Sequence, residues 1–220
     1  MLAAYISPAG RLIDYAMHIY LTLFIAIAHF SCVLAQTDEG FTLQTETDAV
    51  RVYVRQEANQ DMSVRVVTEA RASVATVKQT LDDAETYDEW VHRCDGAYVV
   101  AGGEADEYVY VSGIDMPFPF RDKEVVARIR QWIDARGVLT RTITATPDAI
   151  PNDSGRDRLT VYSGEWVVSP LSADPERVEL QCTVRTDAGS GLPNWLRREI
   201  LTGGPAQTVA NLRRRLEAAR

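Results

Sequence analysis

Residues 123–133 read KEVVARIRQWI, and residues 177–186 read RVELQCTVRT. Both alternate with a period of two. In the first, Lys123, Val125, Ala127, Ile129 and Gln131 share one face, and Asp122, Glu124, Val126, Arg128 and Arg130 share the other. In the second, Val178, Leu180, Cys182 and Val184 stand opposite Glu179, Gln181, Thr183 and Arg185. Successive side chains of a strand point to opposite faces. Each stretch therefore reads as a strand with a mostly apolar inner face and a solvated outer one.

Working outward, Val50, Val52 and Val54 alternate with Arg51, Tyr53 and Arg55, a half-buried strand. Residues 62–70 (MSVRVVTEA) read as its partner, across a turn at Asn59, Gln60 and Asp61. Ser73 is placed as an N-cap, and Val74, Val77, Leu81 and Ala84 follow at helical spacing, which predicts a helix over 74–85. Residues 87–91 make a short turn presenting Trp90. Further strands are expected at 98–101, 107–113, 138–146 and 159–169, separated by turn residues such as Gly102-Gly103 and Pro151-Asn152-Asp153. Pro193 opens a final helix, Gly203-Gly204-Pro205 breaks or kinks it, and Val209, Leu212 and Leu216 give it a second apolar stripe. Two strands, a helix, six strands and a C-terminal helix make an α+β design. A long curved sheet closed by one helix is a cup.

Composition narrows the function. The 220 residues carry 23 bases and 31 acids, a net charge of −8. A nucleic-acid partner needs a basic face to neutralise phosphates, so none is expected. There are three histidines, and only His92 lies in the expected domain, which removes multi-histidine zinc sites. His92 with Cys94 and Asp95 has the residue types of a nucleophile and base, but no oxyanion motif accompanies them. No phosphate loop, G-x-G-x-x-G or C-x-x-C occurs, so no cofactor and no metal are expected. Cys94 and Cys182 read either as a disulfide or as two small buried hydrophobes.

The N-terminus reads as a separate segment. From Tyr15 to Thr37 there is no Asp, Glu, Lys or Arg. Val33-Leu34-Ala35 before Gln36 fits a small-residue cleavage site, so residues 1–35 are read as a signal peptide cut after Ala35. The other reading is an uncleaved membrane anchor, since a bilayer needs roughly 20 apolar residues. Either exports the domain, residues 38–220, to a periplasmic or secreted location.

Five short pieces carry a resemblance. They are DAVRVYVR (48–55), YDEW (87–90), MPFPFRD (116–122), GEWVVSP (164–170) and TVRTDAGSGLPNWL (183–196). In this order and spacing the chain resembles the START (steroidogenic acute regulatory protein-related lipid transfer) domain family, as a bacterial-type single-domain member. The resemblance implies a helix-grip fold, in which a curved antiparallel sheet wraps a long C-terminal helix and encloses a hydrophobic cavity for one lipid. Read onto that fold, Lys123, Val125, Ala127, Ile129, Val178, Leu180, Cys182, Val184 and Trp195 line the cavity. Met116, Phe118 and Phe120 form a gate loop, stiffened by Pro117 and Pro119, that touches membrane during exchange. Arg121 is the candidate head-group contact. Some cholesterol-binding members bury a charged pair in the cavity; here it is not evident, since the position aligned with its arginine is Ala127, which argues against a sterol ligand without excluding one. The implied function is non-catalytic binding, and transfer, of a lipid or similar hydrophobic small molecule by a monomer. The alternative is a helix-grip enzyme, a cyclase or hydrolase, for which Lys123, Arg121 and Glu107 are the inward ionisable candidates. A third reading is an envelope interaction protein with a filled core.

Overall fold

The computed structural model describes residues 40–57, 62–172, 174–186 and 192–218. The expected signal segment, the turn at 59–61 and the glycine-rich 187–191 lie outside them. The strands are β1 (Thr42–Glu46), β2 (Arg51–Gln56), β3 (Met62–Ala70), β4 (Cys94–Val99), β5 (Glu107–Ile114), β6 (Lys123–Ile133), β7 (Leu139–Ala145), β8 (Asp157–Arg158), β9 (Tyr162–Leu171) and β10 (Asp174–Thr186). Helix α1 (Val74–Asp82) and a 3₁₀ turn (Ala84–Glu89) separate β3 from β4. The C-terminal helix comprises α2 (Asn194–Arg198), a π-helical turn (Glu199–Gly203) and α3 (Gly204–Ala218).

The strands form one sheet in the order β1-β2-β3-β10-β9-β7-β6-β5-β4, antiparallel throughout except that β8 pairs parallel with β6. Register aligns the inner rows. Leu180 stands opposite Thr68 and Val168, Cys182 opposite Val66 and Trp166, and Ile129 opposite Tyr108 and Ile143. Helices α1 and α3 cover this face, burying Val77, Leu81, Val209, Leu212 and Leu216 against it. The α1 N-cap is Ser73, whose hydroxyl accepts from the Thr76 amide at 3.2 Å.

Several details differ from the sequence expectation. Strand β1 precedes the expected first strand; its five residues are all exposed, so no apolar row announced it. Gly203-Gly204-Pro205 does not break the last helix, because a π turn carries the chain into α3. The outer face of β6 is not uniformly solvated: Glu124 and Val126 are buried. Arg158 ties the segment after β7 to Glu124 on this face. It donates to Glu124 Oε1 at 2.8 Å and to the carbonyls of Pro147, Ile150 and Pro151.

Removing one member of a buried pair strands the other charge, at about 3–5 kcal/mol. Arg158→Met should therefore cost about 3–5 kcal/mol in a urea titration, and adding Glu124→Gln should restore part of it.

Candidate functional site

Between the inner face and the C-terminal helix lies a cavity of about 180 Å³. Val125 and Ile129 of β6, Ile143 of β7, Trp166 of β9, and Cys182 and Val184 of β10 supply its sheet wall. Leu196, Ile200 and Pro205 of the C-terminal helix, with Met116 of the β5–β6 loop, supply the opposite wall. Tyr87 and Trp90 reach it from the 3₁₀ turn.

Polar groups enter this wall in pairs. Arg141, on the inner row of β7, is only 2% exposed. Its guanidinium donates to Asp82 Oδ1 (2.8 Å), Gln131 Oε1 (3.0 Å) and the Tyr87 hydroxyl (3.2 Å). Gln131 in turn donates to Asp82 Oδ1 (2.9 Å), and the Tyr108 hydroxyl does so at 3.3 Å. Burial pushes the Asp82 carboxyl up, but hydrogen bonds from Lys78 and Gln131 and the attraction of Arg141 outweigh it, so it titrates below the usual aspartate range. Burial pushes the Tyr110 and Tyr162 hydroxyls up, so both stay neutral. It also pushes the Cys182 thiol up to about 12, which leaves it inert.

A second pair sits where the C-terminal helix meets the body. His92 Nε2 lies 2.8 Å from Glu199 Oε1, and the His92 amide donates to Thr208 Oγ1 at 3.0 Å. Glycine leaves room for this carboxylate: a Cβ on Gly203 would come within 2.5 Å of Glu199 Oε2 and push the glutamate end aside. Cys94 does not pair with Cys182; both are free thiols, and Cys94 Sγ lies 3.4 Å from Ser112 Oγ. Among the described residues no cluster of His, Cys, Asp and Glu could hold a metal ion.

No family model matches the chain. It is 30% identical over 190 residues to an uncharacterized protein of Pseudomonas aeruginosa, across 86% of this chain and 93% of that one. A STAR-related lipid transfer protein from Xanthomonas axonopodis superposes with a TM-score of 0.72 at 21% identity, covering 80% of this chain and 98% of that one. The lipid transfer and protein localization domain of human StarD13 superposes with a TM-score of 0.69 at 16% identity, covering 86% and 95%. The chain belongs to the family of the Pseudomonas protein and has the START fold.

Within this START fold, Val125, Ile129, Cys182, Val184 and Met116 lie on the cavity wall. Ala127, Val178 and Leu180 share the inner row and are fully buried in the core, outside the cavity lining. Trp195 is exposed and Leu196 takes the inward place, because the helix phase turns the tryptophan out. Lys123 is half-buried and off the wall. Phe118 is 97% exposed and Phe120 half-buried. Arg121 is exposed and donates to the Gly155 carbonyl at 3.2 Å, so it anchors a loop instead of facing the cavity. Glu107 pairs with Arg128 and Arg130 on the outer face. The basic and acidic residues on the wall are instead His92, Arg93, Arg141 and Glu199. Arg141 of β7 pairs with Asp82 at the end of α1, which lies off the cavity wall and is partly exposed.

Asp82→Ala leaves the Arg141 charge uncompensated and should cost about 3 kcal/mol, the low end for buried pairs because Asp82 is partly exposed. A depressed carboxylate contributes stability above its unfolded value near 3.9, lost as pH falls through the lower folded value. The urea midpoint of the wild type should drop as the pH falls below about 4. Asp82→Asn should be weaker at pH 7 and show a shallower drop. An unchanged slope would show that Asp82 stays ionised equally in both states.

Proposed function

We propose that this chain encloses one hydrophobic, lipid-like ligand between the inner sheet face and the C-terminal helix, without catalysis, and exchanges it at a membrane surface. The observation that carries this reading is the apolar cavity itself. Its lining is mostly apolar, and a bound apolar molecule would remove that surface from water. Each buried methylene contributes about 0.8 kcal/mol, so ten give about 8 kcal/mol, the micromolar range before ordering costs.

The closed volume of about 180 Å³ lies below the roughly 300–1,000 Å³ of ordinary ligand pockets. A long acyl chain therefore requires the lid to shift. Exposed Phe118 and Trp195 supply apolar contacts for a membrane. The non-catalytic reading follows the likeness to lipid transfer domains. The domain acts as a monomer outside the cytoplasm, exported by its N-terminal segment.

Native mass spectrometry of residues 36–220 purified from cells should release a lipid-sized mass on gentle dissociation. Val184→Trp, which fills the cavity, should abolish that mass while keeping the melting temperature within a few degrees. A clean protein mass that no lipid panel shifts, in both proteins, would refute the reading.

A further inference from the structure

Two tyrosines of the inner face stand at the ends of one row with small residues between them. Tyr110 of β5 is opposite Ala127 of β6, and Ala127 is opposite Ala145 of β7. Thr144 is opposite Ser163, so the next step of that register carries the row from Ala145 to Tyr162, the first residue of β9. One cross-strand row therefore reads Tyr, Ala, Ala, Tyr. Its three steps of about 4.8 Å span roughly 14 Å, and the curve of the sheet brings its ends closer. The two alanines leave the floor of the row open, so the tyrosines have room to lean toward each other. Both line the cavity.

Their hydroxyls have capacity that the protein does not use. Among the described residues neither hydrogen-bonds to the protein, and neither is one of its sealed polar atoms, so both keep contact surface. Other oxygens of the wall are engaged. The Tyr87 hydroxyl donates to the Leu81 carbonyl at 2.5 Å and accepts from Arg141, and Thr208 Oγ1 accepts from the His92 amide. Tyr110 is only 6% exposed, and a tyrosine so buried normally finds a partner for its hydroxyl. The Tyr110 and Tyr162 hydroxyls lie close enough to influence each other's titration. Even turned toward each other, they would share one proton and leave the second O–H free, with lone pairs on both oxygens. The pair offers hydrogen bonds and no charge. Arg141, Arg93 and His92 on the wall already face carboxylates, from Asp82, Asp115 and Glu199. An anionic head would therefore enter as a buried charge without a counter-ion of its own. A hydrocarbon would leave the hydroxyls unsatisfied.

We propose that the Tyr110 and Tyr162 hydroxyls are the polar recognition site of the cavity, binding the carbonyl or hydroxyl oxygen of an uncharged, otherwise apolar ligand and selecting it over hydrocarbons and fatty acids. This deepens the ligand-binding reading above and rests on it.

Three probes of one skeleton separate the terms: butylbenzene, 4-phenyl-2-butanone and 4-phenylbutyrate. Binding is measured by calorimetry on protein produced from the full chain as the cell processes it. The wild type should prefer the ketone and bind the carboxylate most weakly. The double variant Tyr110→Phe with Tyr162→Phe keeps both rings and removes both hydroxyls. It should weaken the ketone about tenfold, which is 1.4 kcal/mol, and leave butylbenzene within twofold. Its melting temperature without ligand should not fall, because the hydroxyls it loses hold no other part of the fold. Independently of that variant, the infrared carbonyl band of the ketone should move to lower frequency on binding the wild type, as an accepted hydrogen bond requires. Equal losses for ketone and hydrocarbon, an unmoved carbonyl band, or tightest binding of the carboxylate would each overturn the role of the tyrosine pair while leaving the cavity a ligand site. If none of the three binds the wild type, the ligand-site reading falls, and this inference with it.

Discussion

A guanidinium buried on the inner face of the sheet organises much of what surrounds it. Arg141 ties four elements at once: its own strand β7, β6 through Gln131, the end of α1 through Asp82, and the 3₁₀ turn through Tyr87. A charge in low dielectric is tolerable only with its hydrogen bonds satisfied in place. The network therefore fixes where α1 ends and where the 3₁₀ turn begins. That turn in turn presents Tyr87 and Trp90 to the cavity. An apolar replacement of the whole network could match its stability. What such a replacement would lose is the directional constraint that sets one end of the wall.

The opposite wall depends on a different device. The C-terminal helix buries Val209, Leu212 and Leu216 in the core through α3, whereas its first part reaches the cavity with Leu196 and Ile200. The π turn between them is a wider coil, which brings Glu199 to His92 where glycine leaves room for the carboxylate. The two halves of the helix are thus held unequally: α3 by three buried residues in the core, the first half by Leu196, Leu201 and the His92–Glu199 contact.

The strands were legible because their inner rows alternate over long stretches, and the inward face of β10 came from that pattern alone. Other features were hidden for physical reasons. Strand β1 is an exposed edge with no apolar row. Glu124 and Val126 are buried by a loop remote in sequence, which alternation within β6 does not encode. Trp195 was placed inward by the resemblance, whereas the adjacent Leu196 is the buried residue of that turn. The buried pair Leu196 and Leu201 are five residues apart, the step of a π turn and not of an α-helix. Arg141 left a readable sign, since it falls between Leu139 and Ile143 on the apolar row of β7. An arginine in an inner row demands a buried partner, and that requirement points to a site. The His92–Glu199 contact joins residues 107 positions apart and had no local signature.

The unequal anchoring of the C-terminal helix bears on how a ligand would reach the cavity. Segments that move in binding are drawn from the least stable parts of a fold, those with few buried apolar contacts. By that criterion α3 is the fixed part, because displacing it would expose the core that it shares with β3 and β10. The segment before Gly204 is secured by the His92–Glu199 contact and by Leu196 and Leu201, while the His92 amide holds Thr208 of α3. Partly exposed ion pairs are worth little, about 0–1 kcal/mol, so this end is the cheaper one to lift. The π turn then has a structural reason to sit where it does: it lies between the half of the helix that grips the sheet and the half that covers the cavity.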